Sequence, residues 1–167
     1  MGEASRRIEA TAITEADWAP FGWLPVRDTD PHDGEHRLEF TWGDPHVNVI
    51  GHTAAEIPPI DGGLRCRMLY RHDTHTQTLM ALDHRSVIAV APADVEFTGP
   101  DDAGAVRAFV LEPLEPLVLG RGTWHWGPFP IRSDQVTLFN VQGLRYAEDN
   151  RMADLDAVGA TLDVIVE

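Results

Sequence analysis

Two short stretches of the chain carry histidines whose spacing could support chemistry. One is residues 70–77, with the sequence Tyr-Arg-His-Asp-Thr-His-Thr-Gln, and the other is residues 120–128, Gly-Arg-Gly-Thr-Trp-His-Trp-Gly-Pro. Both lie among short apolar runs that are typical of β-strands. Histidines on strands that folding brings together can hold a metal ion or transfer protons near neutral pH.

The first stretch begins within an alternating segment, residues 64–72, which predicts a β-strand. Its apolar face carries Cys66, Met68, Tyr70 and His72, and the arginines, Arg71 among them, fall on the other face. His72 should therefore point into the interior at the end of the strand. In a regular strand His75 would face away from His72, so only a bend at residues 73–74 would bring the two rings together.

The elements that must position these residues are mostly strands. Short apolar runs bounded by turn residues predict strands at 47–50, 64–72, 76–82, 87–91, 106–111, 117–119, 135–141 and 162–166. Thr14 with Asp17 predicts the cap of a short N-terminal helix, because Pro20 follows closely. Residues 1–12 are expected to fray or form an edge strand, and residues 148–158 to form a short helical or irregular crossing. The pattern indicates an all-β sandwich or small barrel.

Composition limits the remaining possibilities. The chain has 167 residues with 43% hydrophobic content, which predicts one domain over residues 1–167. A net charge of −14, with arginine as the sole basic residue apart from histidine, argues against binding to nucleic acid or an anionic membrane. Cys66 is the single cysteine, which predicts a reducing compartment. The sequence has no apolar signal core and no apolar run near the length of a membrane helix. We therefore expect a soluble, cytoplasmic protein.

Histidines on two hairpins of a small antiparallel barrel resemble the cupin pattern. The first cupin motif usually has two histidines and a glutamate, and the second has one further histidine. Here Tyr70 stands in the place of the first histidine, His72 in that of the second, and Gln77 near that of the glutamate, while His125 is the candidate in the second motif. The resemblance implies a cupin-type antiparallel β-barrel, a jelly roll, preceded by the short helix.

Further motifs make the resemblance more specific. Five motifs follow one another along the chain, namely Ile13–Gly22, Arg71-His72 followed by Thr76-Gln77, Val87–Pro92, Val106–Phe109 and Arg121 with Trp124-His125. Their order resembles that of the motifs in the ureidoglycolate lyase family, formerly called ureidoglycolate hydrolase. Glu148-Asp149-Asn150 is similar to an Asp-Asn near that family's C-terminus. The similarity is collinear over nearly the whole chain, and the chain is identified as a member or divergent relative of this family.

The resemblance implies an enzyme that splits ureidoglycolate, or a similar small ureido hydroxy acid, into glyoxylate and urea during allantoin degradation in purine metabolism. His125 would be the base or a metal ligand, His72 a ligand or acid–base partner, and Gln77 a ligand or a hydrogen-bond partner of the substrate hydroxyl. Arg121 would hold the substrate carboxylate, with Tyr70 and Trp124 also contacting the substrate. One divalent transition metal on His72, Gln77 and His125, with His75 as an alternative further ligand, and a homodimer are also implied.

The same residues have structural alternatives. His72 could be a hydrogen-bonded core histidine, Gln77 a satisfied interior amide, Arg121 a surface arginine and Trp124 a packing residue. The chain also departs from the family pattern, which has glutamate, histidine and histidine where this chain has Tyr70, Gly120 and Trp126. A non-lyase cupin therefore stays open as an alternative, either a small-molecule-binding regulatory protein or a metal-dependent enzyme with another substrate.

Overall fold

A computed structural model describes residues 5–25 and 36–166. The strands in this part of the chain are β1 (Arg6–Ala12), β2 (Gly22–Trp23), β3 (Pro45–Thr53), β4 (Pro59–Ile60), β5 (Gly63–Cys66), β6 (Met68–Arg71), β7 (Gln77–Ala81), β8 (Ser86–Ala91), β9 (Arg107–Leu111), β10 (Pro116–Leu119), β11 (Trp124–Pro130), β12 (Gln135–Gly143), β13 (Arg151–Asp154) and β14 (Leu162–Ile165). The helix α1 (Glu15–Trp18) and two 3-10 turns, Ala54–Glu56 and Pro100–Ala105, complete the elements.

The strands form two curled sheets with a shared core. One sheet has the order β13-β6-β11-β8-β9-β1-β14-β5-β4, and the other has the order β2-β10-β7-β12-β3. Neighbouring strands are antiparallel except at β1, which is parallel to both β14 and β9. This architecture confirms the predicted all-β fold of mainly antiparallel sheets with its short N-terminal helix.

The apolar core lies on both faces of β8. Ile88 and Val90 point toward the five-stranded sheet and pack with Leu79 of β7. Val87 and Ala89 belong to a second apolar cluster on the opposite face of the nine-stranded sheet. Every residue of β8 is buried, which explains why this strand has a continuous apolar sequence rather than an alternating one.

Most predicted elements are confirmed, and three are corrected. Thr14 caps α1 as predicted, with its hydroxyl accepting the Asp17 backbone N–H at 3.1 Å. Arg6–Ala12, within the segment predicted to fray or form an edge strand, form β1 inside the larger sheet, while residues 1–4 lie outside the described residues. Residues 148–158, predicted to be helical or irregular, contain β13. This strand pairs with β6, a contact between distant segments that the local sequence does not predict.

The third correction concerns the segment 64–72, which is two strands rather than one. The chain breaks at Arg67, β5 pairs with β14, and β6 pairs with β11 and β13. The break reverses the alternation, so that Cys66 and Leu69 pack in one apolar cluster. Arg71, predicted to face outward, is buried, and its guanidinium lies 4.6 Å from the centre of the Trp124 ring. A stacked aromatic surface can accept this weakly hydrated cation.

Among the described residues, no helix is long and apolar enough to cross a membrane.

Candidate functional site

A cavity of about 290 Å³ lies between the two sheets where β6, β7, β11 and β12 approach one another. Four of the residues predicted from sequence line it, namely Tyr70, His72, Gln77 and His125. Tyr70 and His125 are directly opposite each other in the β6–β11 pair, and Gln77 begins β7. Strand register therefore brings together side chains that are far apart in the sequence.

Backbone carbonyls determine the tautomers of the two cavity histidines. His72 Nδ1 lies 2.7 Å from the carbonyl oxygen of Asp149, and His125 Nδ1 lies 3.2 Å from that of Thr123. Because a carbonyl oxygen can only accept, each Nδ1–H donates, and each Nε2 carries a lone pair. The ring centres are 5.4 Å apart, so the two imidazoles form a pair of neutral bases on the cavity wall.

Burial keeps these imidazoles neutral at physiological pH. It lowers the pKa of His125 to about 3, with the neighbouring His72 adding to the shift. Burial also lowers the pKa of His72, but the Asp149 carbonyl and the carboxylates of Asp149 and Asp73 act in the opposite direction. Protonation during a reaction therefore costs less at His72, which has nearby negative charge, than at His125.

His75 lies beside His72 because the chain bends at residues 73–74, as the alternation of the strand required. The rings of His72 and His75 stack with centres 4.6 Å apart and planes at 20°. Burial, with His72 nearby, lowers the pKa of His75 to about 4. Its side chain is only 1% exposed, and neither ring nitrogen has a hydrogen-bond partner among the described residues. His75 thus packs against His72 and is not part of the cavity lining.

The bend is held by Asp149, on the loop before β13. One carboxylate oxygen accepts the backbone N–H of Asp73 at 3.1 Å, and the other accepts the backbone N–H of Thr74 at 2.7 Å and its hydroxyl at 2.5 Å. The same residue supplies the carbonyl that orients His72. A single residue therefore fixes both the position of His75 and the tautomer of His72.

Gln77 belongs to a row of amide side chains across the five-stranded sheet. Its Nε2 donates to Asn140 Oδ1 at 2.8 Å and to Gln142 Oε1 at 3.3 Å, and Asn140 Nδ2 donates to Asn48 Oδ1 at 2.7 Å. Gln77 Oε1 is buried and has no hydrogen-bond partner within residues 5–25 and 36–166. A buried acceptor left in this way is suited to a donor or cation supplied by a ligand.

Two predicted substrate contacts are not brought into the cavity. Arg121 is on the surface with its side chain 41% exposed, donating to the carbonyl of Asp73 at 3.1 Å and to Glu39 at 3.3 Å. Trp124 is buried in the apolar cluster on the far face of the nine-stranded sheet, and its indole N–H donates to the carbonyl of Val95 at 2.8 Å. Arg121 is therefore placed as a surface arginine and Trp124 as a packing residue, which are the structural alternatives given for them above.

Asp149 and Asn140 have supporting roles that were not predicted from the sequence. Asn140 had a local signal, because it continues the inward-facing series of Val136 and Leu138 on β12 and all three are buried. A polar residue in such a series indicates a hydrogen-bonded interior site. Asp149 was marked only by the family resemblance of residues 148–150, and its role did not follow from the local sequence, since its partners lie more than 70 positions away in the chain.

The side chains at the cavity include atoms that can bind a metal ion. No group of three or more histidine, cysteine, aspartate or glutamate side chains is arranged to hold a metal in the part of the chain that the structure describes. The cavity nevertheless offers neutral nitrogen and oxygen donors, namely Nε2 of His72, Nε2 of His125 and the unpartnered Oε1 of Gln77, and the carbonyls of Asp149 and Thr123 orient the two histidines. That set fits a divalent transition metal with positions left open for water or substrate.

Comparisons with known proteins add the following findings. A model of the family described as ureidoglycolate lyase matches residues 5–166. No curated protein shows significant similarity to the chain. Among solved structures, a dTDP sugar isomerase from Desulfovibrio desulfuricans G20 is similar with a TM-score of 0.45 and 14% identity, over 80% of this chain and 74% of that one.

Proposed function

Because the chain belongs to the ureidoglycolate lyase family, we propose that it is a carbon–nitrogen lyase that cleaves ureidoglycolate, or a similar small ureido hydroxy acid. The products are glyoxylate and urea. The observation that carries the proposal is the pair of neutral imidazoles, His72 and His125, with Nε2 lone pairs at one cavity.

The reaction is an elimination at the carbinol carbon. A base removes the hydroxyl proton, the carbon–oxygen double bond of glyoxylate forms, and the carbon–nitrogen bond breaks. The departing nitrogen takes up a proton and leaves as urea, so the proton moves from oxygen to nitrogen with no net gain or loss. One neutral imidazole can perform both transfers, first as base and then as acid.

His72 is the better candidate for this imidazole. The imidazolium formed on it is stabilised by the Asp149 carbonyl and by the carboxylates of Asp149 and Asp73. His125 is more strongly held in the neutral form, which suits it to accept a hydrogen bond from the substrate. The unpartnered Oε1 of Gln77 would accept a hydrogen bond from an N–H of the substrate's urea group and so hold the carbinol carbon beside His72, which leaves the hydroxyl proton for the base.

A divalent transition metal held by His72, His125 and Gln77 would, when bound, polarise the substrate hydroxyl and neutralise its carboxylate. The chain's residues orient the donors for either role, since the carbonyls of Asp149 and Thr123 leave Nε2 as the donor atom. Metal content of the protein purified without chelators distinguishes the roles: a stoichiometric metal favours ligation, and a metal-free active protein favours His72 as the base.

The test is glyoxylate release from racemic ureidoglycolate, with and without added divalent metal, corrected for spontaneous breakdown. His72→Ala and His125→Ala should each lower kcat by about 100-fold or more while the protein stays folded. His84→Ala is the matched control, because that histidine is exposed in a turn. Wild-type turnover in both cavity variants would overturn the assignment.

The apolar wall of the cavity favours one alternative, a cupin without lyase chemistry. Ile50, Leu79, Leu138 and Trp126 line the cavity beside its polar groups, and such a lining suits a retained small molecule. This alternative predicts tight binding of a small carboxylate without glyoxylate release, whether for regulation or for a metal-dependent reaction of another kind.

We further propose that the protein acts in the cytoplasm, in allantoin degradation, as a homodimer. Support for the dimer comes from β3, an edge strand of the five-stranded sheet. Val47 and Val49 on it are 60% and 62% exposed, and large apolar side chains in this position favour coverage by a second copy. Light scattering should give the mass of two chains, and Val49→Glu should shift it toward one.

A further inference from the structure

The cavity that holds the histidines, called here the inner cavity, adjoins a second and larger one. This outer cavity has a volume of about 580 Å³. Four residues line both, namely His52, Tyr70, Trp126 and Phe129. The two spaces therefore share part of their lining, and a group attached to a ligand at His72 and His125 could lie against the same aromatic side chains that line the outer cavity.

The shared wall is aromatic and closely packed. The ring centres of Trp126 and Phe129 are 4.6 Å apart, and those of His52 and Phe129 are 4.8 Å apart. Trp126 and Phe129 are 4% and 7% exposed, so their rings are held in place by the surrounding strands. A rigid aromatic wall binds planar or apolar groups with little loss of conformational freedom.

Beyond this wall the outer cavity remains largely apolar. Ile57, Pro58 and Met68 line it. Its two arginines already have carboxylate partners, Arg65 with Asp163 at 2.8 Å and Arg67 with Asp156 at 3.5 Å. The lining also contains the carboxylate of Glu56, which lies 3.0 Å from the His52 ring. Because both cations are paired and Glu56 adds a negative charge, the space favours an uncharged group over a second acid.

Ureidoglycolate makes poor use of such a wall, since it carries a carboxylate, a hydroxyl and a urea group and no hydrocarbon substituent. Replacing the terminal amino group of the urea by a planar apolar group would keep the reacting carbon, hydroxyl, carboxylate and amide nitrogen at the inner cavity. The added group would then lie against Trp126 and Phe129. The hydrophobic gain from burying a phenyl-sized group corresponds to about tenfold or more in affinity.

Building on the proposed lyase reaction, we propose that the preferred substrates are N-acyl-α-hydroxyglycines with a planar apolar acyl group, of which N-benzoyl-α-hydroxyglycine is the simplest. The same bond breaks. The base takes the hydroxyl proton, the carbonyl of glyoxylate forms, and the amide nitrogen leaves with a proton as benzamide. The reaction requires no oxidant, reductant or co-reactant.

The experiment compares two substrates on one preparation of the full-length protein. Glyoxylate release is measured from ureidoglycolate and from N-benzoyl-α-hydroxyglycine, each corrected for spontaneous breakdown. Binding of N-benzoylglycine, which lacks the hydroxyl and cannot react, is measured by calorimetry. We expect kcat/KM to be about tenfold or more higher for the benzoyl substrate, and N-benzoylglycine to bind.

Two variants localise the effect. Met68→Glu places a carboxylate in the outer cavity and should lower kcat/KM for the benzoyl substrate, relative to that for ureidoglycolate, by about tenfold. Met152→Glu is the matched control, the same substitution on a methionine that is 62% exposed and is not a lining residue of either cavity. It should leave the ratio unchanged.

The outcomes separate this inference from the proposed function. Cleavage of ureidoglycolate with equal or poorer cleavage of the benzoyl substrate would overturn the inference and leave the lyase assignment intact. Binding of N-benzoylglycine that Met68→Glu weakens, without cleavage of either substrate, would support the outer cavity as an acyl site and reject the lyase assignment. Absence of both cleavage and binding would reject both.

Discussion

Replacing Asp149 by alanine should lower both stability and catalysis, because this residue joins the bend at residues 73–74 to the site. The substitution removes a carboxylate that accepts hydrogen bonds from the backbone N–H of Asp73, the backbone N–H of Thr74 and the Thr74 hydroxyl. The backbone carbonyl that contacts His72 remains, but the loop that presents it loses its attachment.

The size of the stability loss follows from those three hydrogen bonds. Each has an ionised acceptor in a partly buried position, and each contributes about 1.5 kcal/mol after exchange with water, the lower end for a charged partner. The total is about 4.5 kcal/mol, which for a chain of this length corresponds to a fall in melting temperature of about 9–18 °C. Urea unfolding followed by tryptophan fluorescence would measure the free-energy difference directly.

Catalysis should fall because the imidazole of His72 is then less well oriented. A loop shift of about 1 Å is enough to cost about 100-fold in kcat, with a smaller change in KM, since the groups that bind the substrate are unaffected. The measurement is glyoxylate release at a temperature well below the melting point of the variant, so that unfolding does not contribute.

Asp102 offers a matched control on a distant loop. One of its carboxylate oxygens accepts the backbone N–H and hydroxyl of Thr98 and the backbone N–H of Gly99, which repeats the three-donor arrangement of Asp149. Asp102→Ala should lower the melting temperature while kcat stays at the wild-type value. Equal kcat values for Asp149→Ala and wild type would refute the positioning role, whatever the stability change.

Two further predictions concern packing and pH. Gly143→Ala should destabilise the protein by about 1–3 kcal/mol, because a Cβ there would lie 2.7 Å from His75 Nδ1. Gly51→Ala should be tolerated, because a Cβ there meets nothing within 4 Å. Thermal unfolding of both variants measures the difference, and equal melting temperatures would contradict the prediction. Burial alone would raise the pKa of Asp149, but hydrogen bonds from Thr74 and from the Asp73 backbone outweigh it and lower the pKa from its ordinary value of 3.8. The stabilisation by this carboxylate is therefore complete above that value and is lost as the pH falls through the folded-state pKa. Urea unfolding should show the gap between wild type and Asp149→Ala shrinking below pH 3.8; a gap that persists in acid would contradict the assignment.

Local sequence patterns determined the class of fold and part of the site. Apolar runs bounded by turn residues predicted many of the strands, including β7 and β8, because a strand in the core must bury apolar side chains on one face or on both. The same rule predicted that His72 points inward, and the requirement for a bend before His75 followed from the period of two residues. These are short-range properties, which each segment carries in its own composition.

Tertiary structure decided which of the candidates meet. His72 and His125 lie at one cavity because β6 pairs with β11, and the break at Arg67 turned Arg71 inward against the predicted alternation. The placement of Arg121 on the surface, the row of amides at Gln77 and the hold of Asp149 on the bend depend on contacts between distant segments. Register and loop crossings come from the packing of the whole chain, and no local pattern specifies them.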